Sequence, residues 1–171
     1  IGNMKIYKNA NLRSIHQKGV IAIGNFDGVH LGHQKVIKEA KKNAKKNNLP
    51  LGLMTFEPVP VMFFNKKIKN HRINSLKQKK TQLKKFNLDF LIIIKFNKKF
   101  SSLSAEEFIK KIIYKKTNCK YLYVSKNFKF GNKRSGNIQT LKKFEKVFDY
   151  KNIITNPFKK KNKIISSTLI R

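Results

Sequence analysis

Residues 19–40 read GVIAIGNFDGVHLGHQKVIKEA. The first eight, GVIAIGNF, are a continuous apolar run with one late polar residue, the pattern of a parallel strand buried on both faces. From His33 to Asn48 the sequence HQKVIKEAKKNAKKNN takes a helical period, with Val36, Ile37 and Ala40 on one side and lysines on the other. A strand and a helix are therefore joined through a turn that holds Gly24, Gly28 and Gly32, an acid and two histidines.

The same alternation continues along the chain. LPLGLMTFEP (49–58) reads as a strand ended by Pro58 and Pro60, and SLKQKKTQLKKF (75–86) as a lysine-rich helix with Leu76, Leu83 and Phe86 on one side. DFLIIIKF (89–96) is a central strand, and SAEEFIKKIIYKK (104–116) a helix opened by a capping box, with Ser104 as N-cap and Glu107 three residues on. CKYLYVSKNF (119–128), NIQTLKKFEKVF (137–148) and KNIITNPF (151–158) follow as strand, helix and a last strand or hairpin, the hairpin including KKNKIIS (160–166). The order β-α-β-α-β-α-β-α-β implies right-handed crossovers and an α/β fold. The expectation is an open, Rossmann-like, mainly parallel sheet with helices on both faces.

Composition narrows the class. A chain of 171 residues, 40% hydrophobic, is expected to form one domain with a proper core despite a formal net charge of +32. The single cysteine, Cys119, lies in an apolar stretch, cannot form an internal disulfide and reads as a core residue in a reducing compartment. There is no run of about 18 apolar residues and no signal-peptide pattern at the start, so a cytoplasmic protein is expected. Forty Lys+Arg against eight Asp+Glu suggest attraction to polyanions, but the arginines are only Arg13, Arg72, Arg134 and Arg171, and the lysines are spread over nearly every segment. A face built to read bases would be richer in arginine, so weak, non-specific polyanion binding is the expectation.

Ligands of open α/β sheets bind at the carboxyl ends of strands, where strand order reverses. The glycines of the 24–34 turn let the backbone come close to a ligand, and a helix start offers free N–H groups and a positive dipole end. The spacing is neither that of a P-loop nor GxGxxG. His30 and His33 are three apart, so from the first turn of a helix both project toward one set of phosphates, where imidazoles can stabilise charge growing on a leaving pyrophosphate. The alternative is an ordinary first turn after a structural glycine loop. Zinc is a weak alternative, because His16 and His71 lie in unrelated segments and no CxxC accompanies them.

HLGH (30–33) resembles the HxGH signature of the nucleotidyltransferase superfamily, and AIGNFDGVHLGHQKVI (22–37) resembles the opening motif of the bacterial FAD synthetases, the bifunctional riboflavin kinase/FMN adenylyltransferases. TFEPVP (55–60) is similar to that family's TFEPHP, and FNKKFSSLSAEEFI (96–109) to its FNxxFAxLSAEEF. NFKFGNKRSGN (127–137) is similar to its DFxFGxxRxGD, and ISSTLIR (165–171) to its ISSTxIR. The stretches occur in family order across nearly the whole chain. A class I tRNA synthetase also carries HIGH, but pairs it with KMSKS in a much longer chain.

The resemblance implies a nucleotidyltransferase fold and adenylyl transfer from ATP to FMN, giving FAD and pyrophosphate with Mg²⁺. It implies that His30 and His33 contact the triphosphate and that Gly24, Asn25, Phe26, Asp27, Gly28 and Gly32 surround the nucleotides. Asp27 is then the acid expected near magnesium or a substrate hydroxyl, with capping of the turn as the alternative. At the other end of the chain Ser166 or Ser167 would cap a helix facing the β- and γ-phosphates, Ser167 and Thr168 would donate hydroxyls, and Arg171 would pair with a phosphate. Phe56, Pro58, Asn127, Phe128 and Phe130 are candidates for the FMN pocket and Arg134 for its phosphate; core packing and a solvated loop are the alternatives.

Val59 stands where the family usually has histidine, and Ser125 where it often has glycine. The full-length family continues past the position of Arg171 into a riboflavin kinase domain, so residues 1–171 are expected to form the adenylyltransferase domain alone and to lack kinase activity. Two other readings stay open: a nucleotidyltransferase for another phosphorylated acceptor, such as nicotinamide mononucleotide or phosphopantetheine, and a non-enzymatic, basic, polyanion-binding protein.

Overall fold

A computed structural model describes residues 4–26, 31–58 and 76–155. Six strands form one sheet: β1 (Lys5–Tyr7), β2 (Val20–Ile23), β3 (Leu51–Glu57), β4 (Phe90–Lys95), β5 (Tyr121–Ser125) and β6 (Lys151–Thr155), in the spatial order β1-β4-β3-β2-β5-β6. Among the described residues every ladder of this sheet is parallel. The helices are α1 (Leu31–Asn47), α2 (Leu76–Lys84), α3 (Lys98–Ser101), α4 (Ala105–Glu107, continued by a π-helical stretch Phe108–Thr117), α5 (Ile138–Lys143) and α6 (Glu145–Phe148).

Five of the strands are the apolar runs of the sequence. The sixth, β1, has three residues, one exposed and one half-buried, too short to leave a periodic signal. The helix expected over 137–148 is two: α5, opened by an Asn137–Thr140 capping box, and α6, divided at Phe144. The Ser104–Glu107 box is present, each backbone N–H donating to the other side chain at 3.0 Å.

Alternation along each strand sends neighbouring residues to opposite faces. Ile21 and Ile23 of β2 pack with Phe108, Ile109 and Leu141 on one face, while Val20 and Ala22 pack with Val36, Ile37 and Ala40 of α1 and Leu83 of α2 on the other. Helices thus cover both faces, as the all-apolar strands require. Cys119 is buried in the first of these cores, and burial pushes its thiol up to about 12, so it stays protonated and inert.

After β2 the chain builds outward through β3 to β4, then returns to the other side of β2 for β5 and β6. The strand order therefore reverses between β2 and β5, whose Ala22 and Tyr123 are register partners. The crevice that binds ligands in such sheets opens at the carboxyl ends of this pair.

Candidate active site

The segment leaving β2 is held from three sides. The Gly24 N–H donates to the Met54 carbonyl at 3.1 Å, which ties the start of the turn to β3. A Cβ on Gly24 would stand 3.4 Å from the Phe26 ring, so the glycine leaves that ring its room. Phe26 is buried at 2% exposure with φ of 49°, in the left-handed region that a bulky residue adopts only where its surroundings impose it. Its ring meets the imidazole of His33 edge-on, with centroids 5.2 Å apart.

His33 and Gly32 lie half-buried in the first turn of α1. The helix begins at Leu31, inside the HLGH stretch and two residues before the sequence pattern placed it. Its first turn carries no acidic side chain, so nothing there offsets the positive end of the dipole. Such an N-terminus suits an anion. Asp27, Gly28 and His30 lie outside the described residues, as do Ser166, Ser167, Thr168 and Arg171 and the departure at Val59.

The segment leaving β5, on the other side of the switch point, is aromatic. Asn127 is exposed, Phe128 half-buried and Phe130 buried at 7%. The rings of Phe128 and Phe130 stack with a 17° interplanar angle and centroids 5.4 Å apart. Phe130 touches Phe108 at 5.4 Å, Phe108 touches Phe100 at 6.0 Å, and Phe100 touches Phe56 at 5.8 Å. The structure thus joins Phe56, at the end of β3, to Phe128 and Phe130 in one aromatic wall. Its links Phe100 and Phe108, and Phe96 beside them, carried no separate signal in a chain with fourteen phenylalanines.

Pro58 is exposed next to the wall, after a cis Glu57–Pro58 bond, and Ser125 is exposed at the end of β5. Arg134 is exposed in the one-turn segment Asn132–Arg134, with its N–H donating to the Gly131 carbonyl at 3.1 Å. That loop is fixed by Gly131, whose φ is 77° and whose Cβ, if it had one, would stand 2.8 Å from the backbone of Ala105. The glycine presses the loop against the start of α4.

One polar cluster went unnoticed in the sequence. Lys79 of the lysine-rich α2, not singled out in the sequence, has no exposed side-chain surface. Its ammonium donates to the Asn25 carbonyl at 2.7 Å, to Thr55 Oγ1 at 3.2 Å and to Glu57 Oε2 at 3.4 Å. The Thr55 hydroxyl donates to the same Asn25 carbonyl at 2.9 Å. The available signal was position: Leu76, Lys79, Leu83 and Phe86 follow a 3-4-3 spacing, which puts Lys79 on the apolar stripe of its helix. Among the described residues no three His, Cys, Asp or Glu side chains stand together as a metal site.

The Gly24–Phe26 segment with the start of α1, and an aromatic wall, therefore flank the switch point of a parallel sheet, and residues 12–169 match the family model described as FAD synthetase. The chain belongs to the FAD synthetase family. It is 44% identical over 162 residues to the bifunctional riboflavin kinase/FMN adenylyltransferase of Buchnera aphidicola subsp. Schizaphis graminum, covering 94% of this chain and 52% of that protein. Its identity to the protein of the same name from Escherichia coli K12 is 33%, with the same coverage. The chain thus spans about half the length of these relatives.

Among solved structures it is similar to a Streptococcus pneumoniae protein described as a macrolide-efflux protein, with a TM-score of 0.78 and 29% identity over 99% of this chain and 56% of that one. It also shares its fold with the pantoate-beta-alanine ligase of Francisella tularensis, complexed with beta-gamma ATP and beta-alanine. The TM-score there is 0.55 at 18% identity, covering 98% of this chain and 75% of that one.

Proposed function

We propose that this member of the FAD synthetase family transfers AMP from ATP to FMN. An oxygen of the FMN phosphate attacks the α-phosphorus, the bond to the β-phosphate oxygen breaks, and pyrophosphate leaves with that electron pair. The nucleophile is already anionic, so the work left to the protein is alignment and stabilisation of charge on the leaving group. The observation that carries this reading is the placement of the Gly24–Phe26 turn with His33 and of the Asn127–Phe130 segment at the ends of neighbouring strands β2 and β5.

On this reading the first turn of α1 and His33 face the triphosphate, with His30, Ser166, Ser167, Thr168 and Arg171 as further phosphate contacts. The wall from Phe56 to Phe128 offers apolar surface for the flat isoalloxazine, and Arg134 a charge for the FMN phosphate. Magnesium is proposed only as the companion of the triphosphate. Mg²⁺ takes one or two carboxylates plus substrate phosphates and keeps several waters, and Asp27 is the acid assigned to it. Among the described residues no helix is long and apolar enough to cross a membrane, and a cytoplasmic setting suits the lone buried thiol of Cys119.

The test is incubation with FMN, ATP and Mg²⁺, with FAD and pyrophosphate followed by chromatography, for the native protein and for His33→Ala. FAD formed by the native protein and lost in the folded variant is the expected result. Absence of FAD from folded native protein overturns the FMN assignment, and a panel of other phosphorylated acceptors then finds the substrate. The net charge of +32 supports a second property, salt-sensitive binding of RNA without sequence preference, measured by titration at rising ionic strength.

A further inference from the structure

An ammonium withdrawn from water is costly unless carbonyls or carboxylates replace its hydration. An apolar side chain of similar length would fill the space under α2 without that cost, so the chemistry of Lys79 needs a reason. Among the described residues its shortest hydrogen bond, 2.7 Å, is to the carbonyl of Asn25, the peptide that leads into left-handed Phe26. Thr55 donates to the same oxygen, and Glu57 sets a carboxylate beside the amine. A trans peptide is planar, with its carbonyl and N–H opposed. Drawing the Asn25 oxygen onto Lys79 therefore turns the Phe26 N–H away from the amine. Backbone N–H groups around a left-handed residue form anion-binding concavities.

We propose that Lys79 is a positioning residue of the adenylyl-transfer site: its buried ammonium fixes the Asn25 carbonyl, and so holds the Phe26 peptide in the orientation that receives a nucleotide phosphate. The proposal rests on the nucleotide role given to the turn above, and its test separates the two. In this role Lys79 binds the backbone of the turn and not the substrate. It acts through the backbone it holds, with Thr55 as a neutral second anchor on the same oxygen.

Lys79→Met keeps the length and removes the donor. In the ligand-free protein it is expected to move the Asn25 carbonyl carbon and Phe26 amide nitrogen resonances while those of β1 and β6 stay in place. In steady state kcat/KM for ATP is expected to fall about a hundredfold, as misplacement of a positioning group does, with KM for FMN nearly unchanged. Thr55→Val shifts the same resonances and lowers kcat/KM for ATP about three- to tenfold, the effect of one neutral hydrogen bond. Leu83→Ala, four residues along the same helix, lowers Tm but leaves both Michaelis constants near native values.

A folded Lys79→Met protein with unmoved turn resonances, or with native ATP kinetics in an active enzyme, overturns the proposal. If Lys79→Met does not fold, unmoved turn resonances in Thr55→Val overturn it equally. If native protein makes no FAD, the FMN assignment fails, while the resonances and titration with a non-hydrolysable ATP analogue still decide the role of Lys79.

Discussion

The segments that leave β2 and β5 stand at the ends of neighbouring strands and are held by opposite means. The turn after β2 is anchored through its backbone: a carbonyl on a buried amine and a hydroxyl, an N–H on β3, and one aromatic residue in the left-handed region. The segment after β5 is anchored through side chains, with Phe128 on Phe130, Phe130 on Phe108, and Gly131 pressed against α4. Polar contacts specify the direction of individual backbone groups, which a charged, tetrahedral ligand needs. Ring packing specifies a surface, which a flat ligand needs. The contrast predicts that substitutions in the turn change rate more than stability, and substitutions in the wall the reverse.

Phe130→Ala is the strongest challenge from the wall side. The ring is 7% exposed and packs in the larger core, so its loss should cost about 3–5 kcal/mol of unfolding free energy, read from denaturant midpoints. A loss under about 1 kcal/mol would mean the wall is no part of the core. His33→Ala probes the turn: the half-buried imidazole is worth little to the fold, and kcat should fall about 10²–10³-fold with Tm nearly unchanged. A large fall in Tm at preserved kcat would reverse the comparison.

The capping box of α4 gives the smallest and cleanest effect, because it braces the wall without belonging to the site. Ser104→Ala should cost about 1 kcal/mol at neutral pH. Its partner Glu107 has a carboxyl pKa lowered first by the Ser104 backbone N–H and then by the Lys111 side chain. A lowered folded-state pKa contributes stability above the ordinary carboxylate value and loses it as pH falls through the folded value. Glu107→Gln, which keeps an acceptor but does not ionise, should flatten the acid limb of the stability profile. An unchanged acid limb would show that the box does not hold α4 in solution.

Much of this was legible beforehand, for a physical reason. The strands β2 to β5 are buried on both faces and so write themselves as unbroken apolar runs, and the turn between β2 and α1 is local, so its glycines and histidines sit together in the sequence. β1 was not legible because three edge residues carry no period. Lys79 was not legible as a functional residue because its partners Asn25, Thr55 and Glu57 come from two other segments, brought under α2 only by the sheet. The aromatic wall was half legible. Phe56, Phe128 and Phe130 belonged to motifs, whereas Phe100 and Phe108 gained a place only once β3, α3 and α4 were packed together.

The edge strand has a consequence for how the chain is made. Among the described residues Lys5–Tyr7 pairs with β4 alone, in the register Lys5↔Phe90 to Tyr7↔Ile92. Contacts across so long a stretch of chain form late, since loop closure must come before they repay it. On a ribosome β1 therefore waits for its β4 partner while β2 and β3 are made, and it docks only after β4 has left the exit tunnel. β1 is thus made before β2, β3 and β4 and secured only after all three.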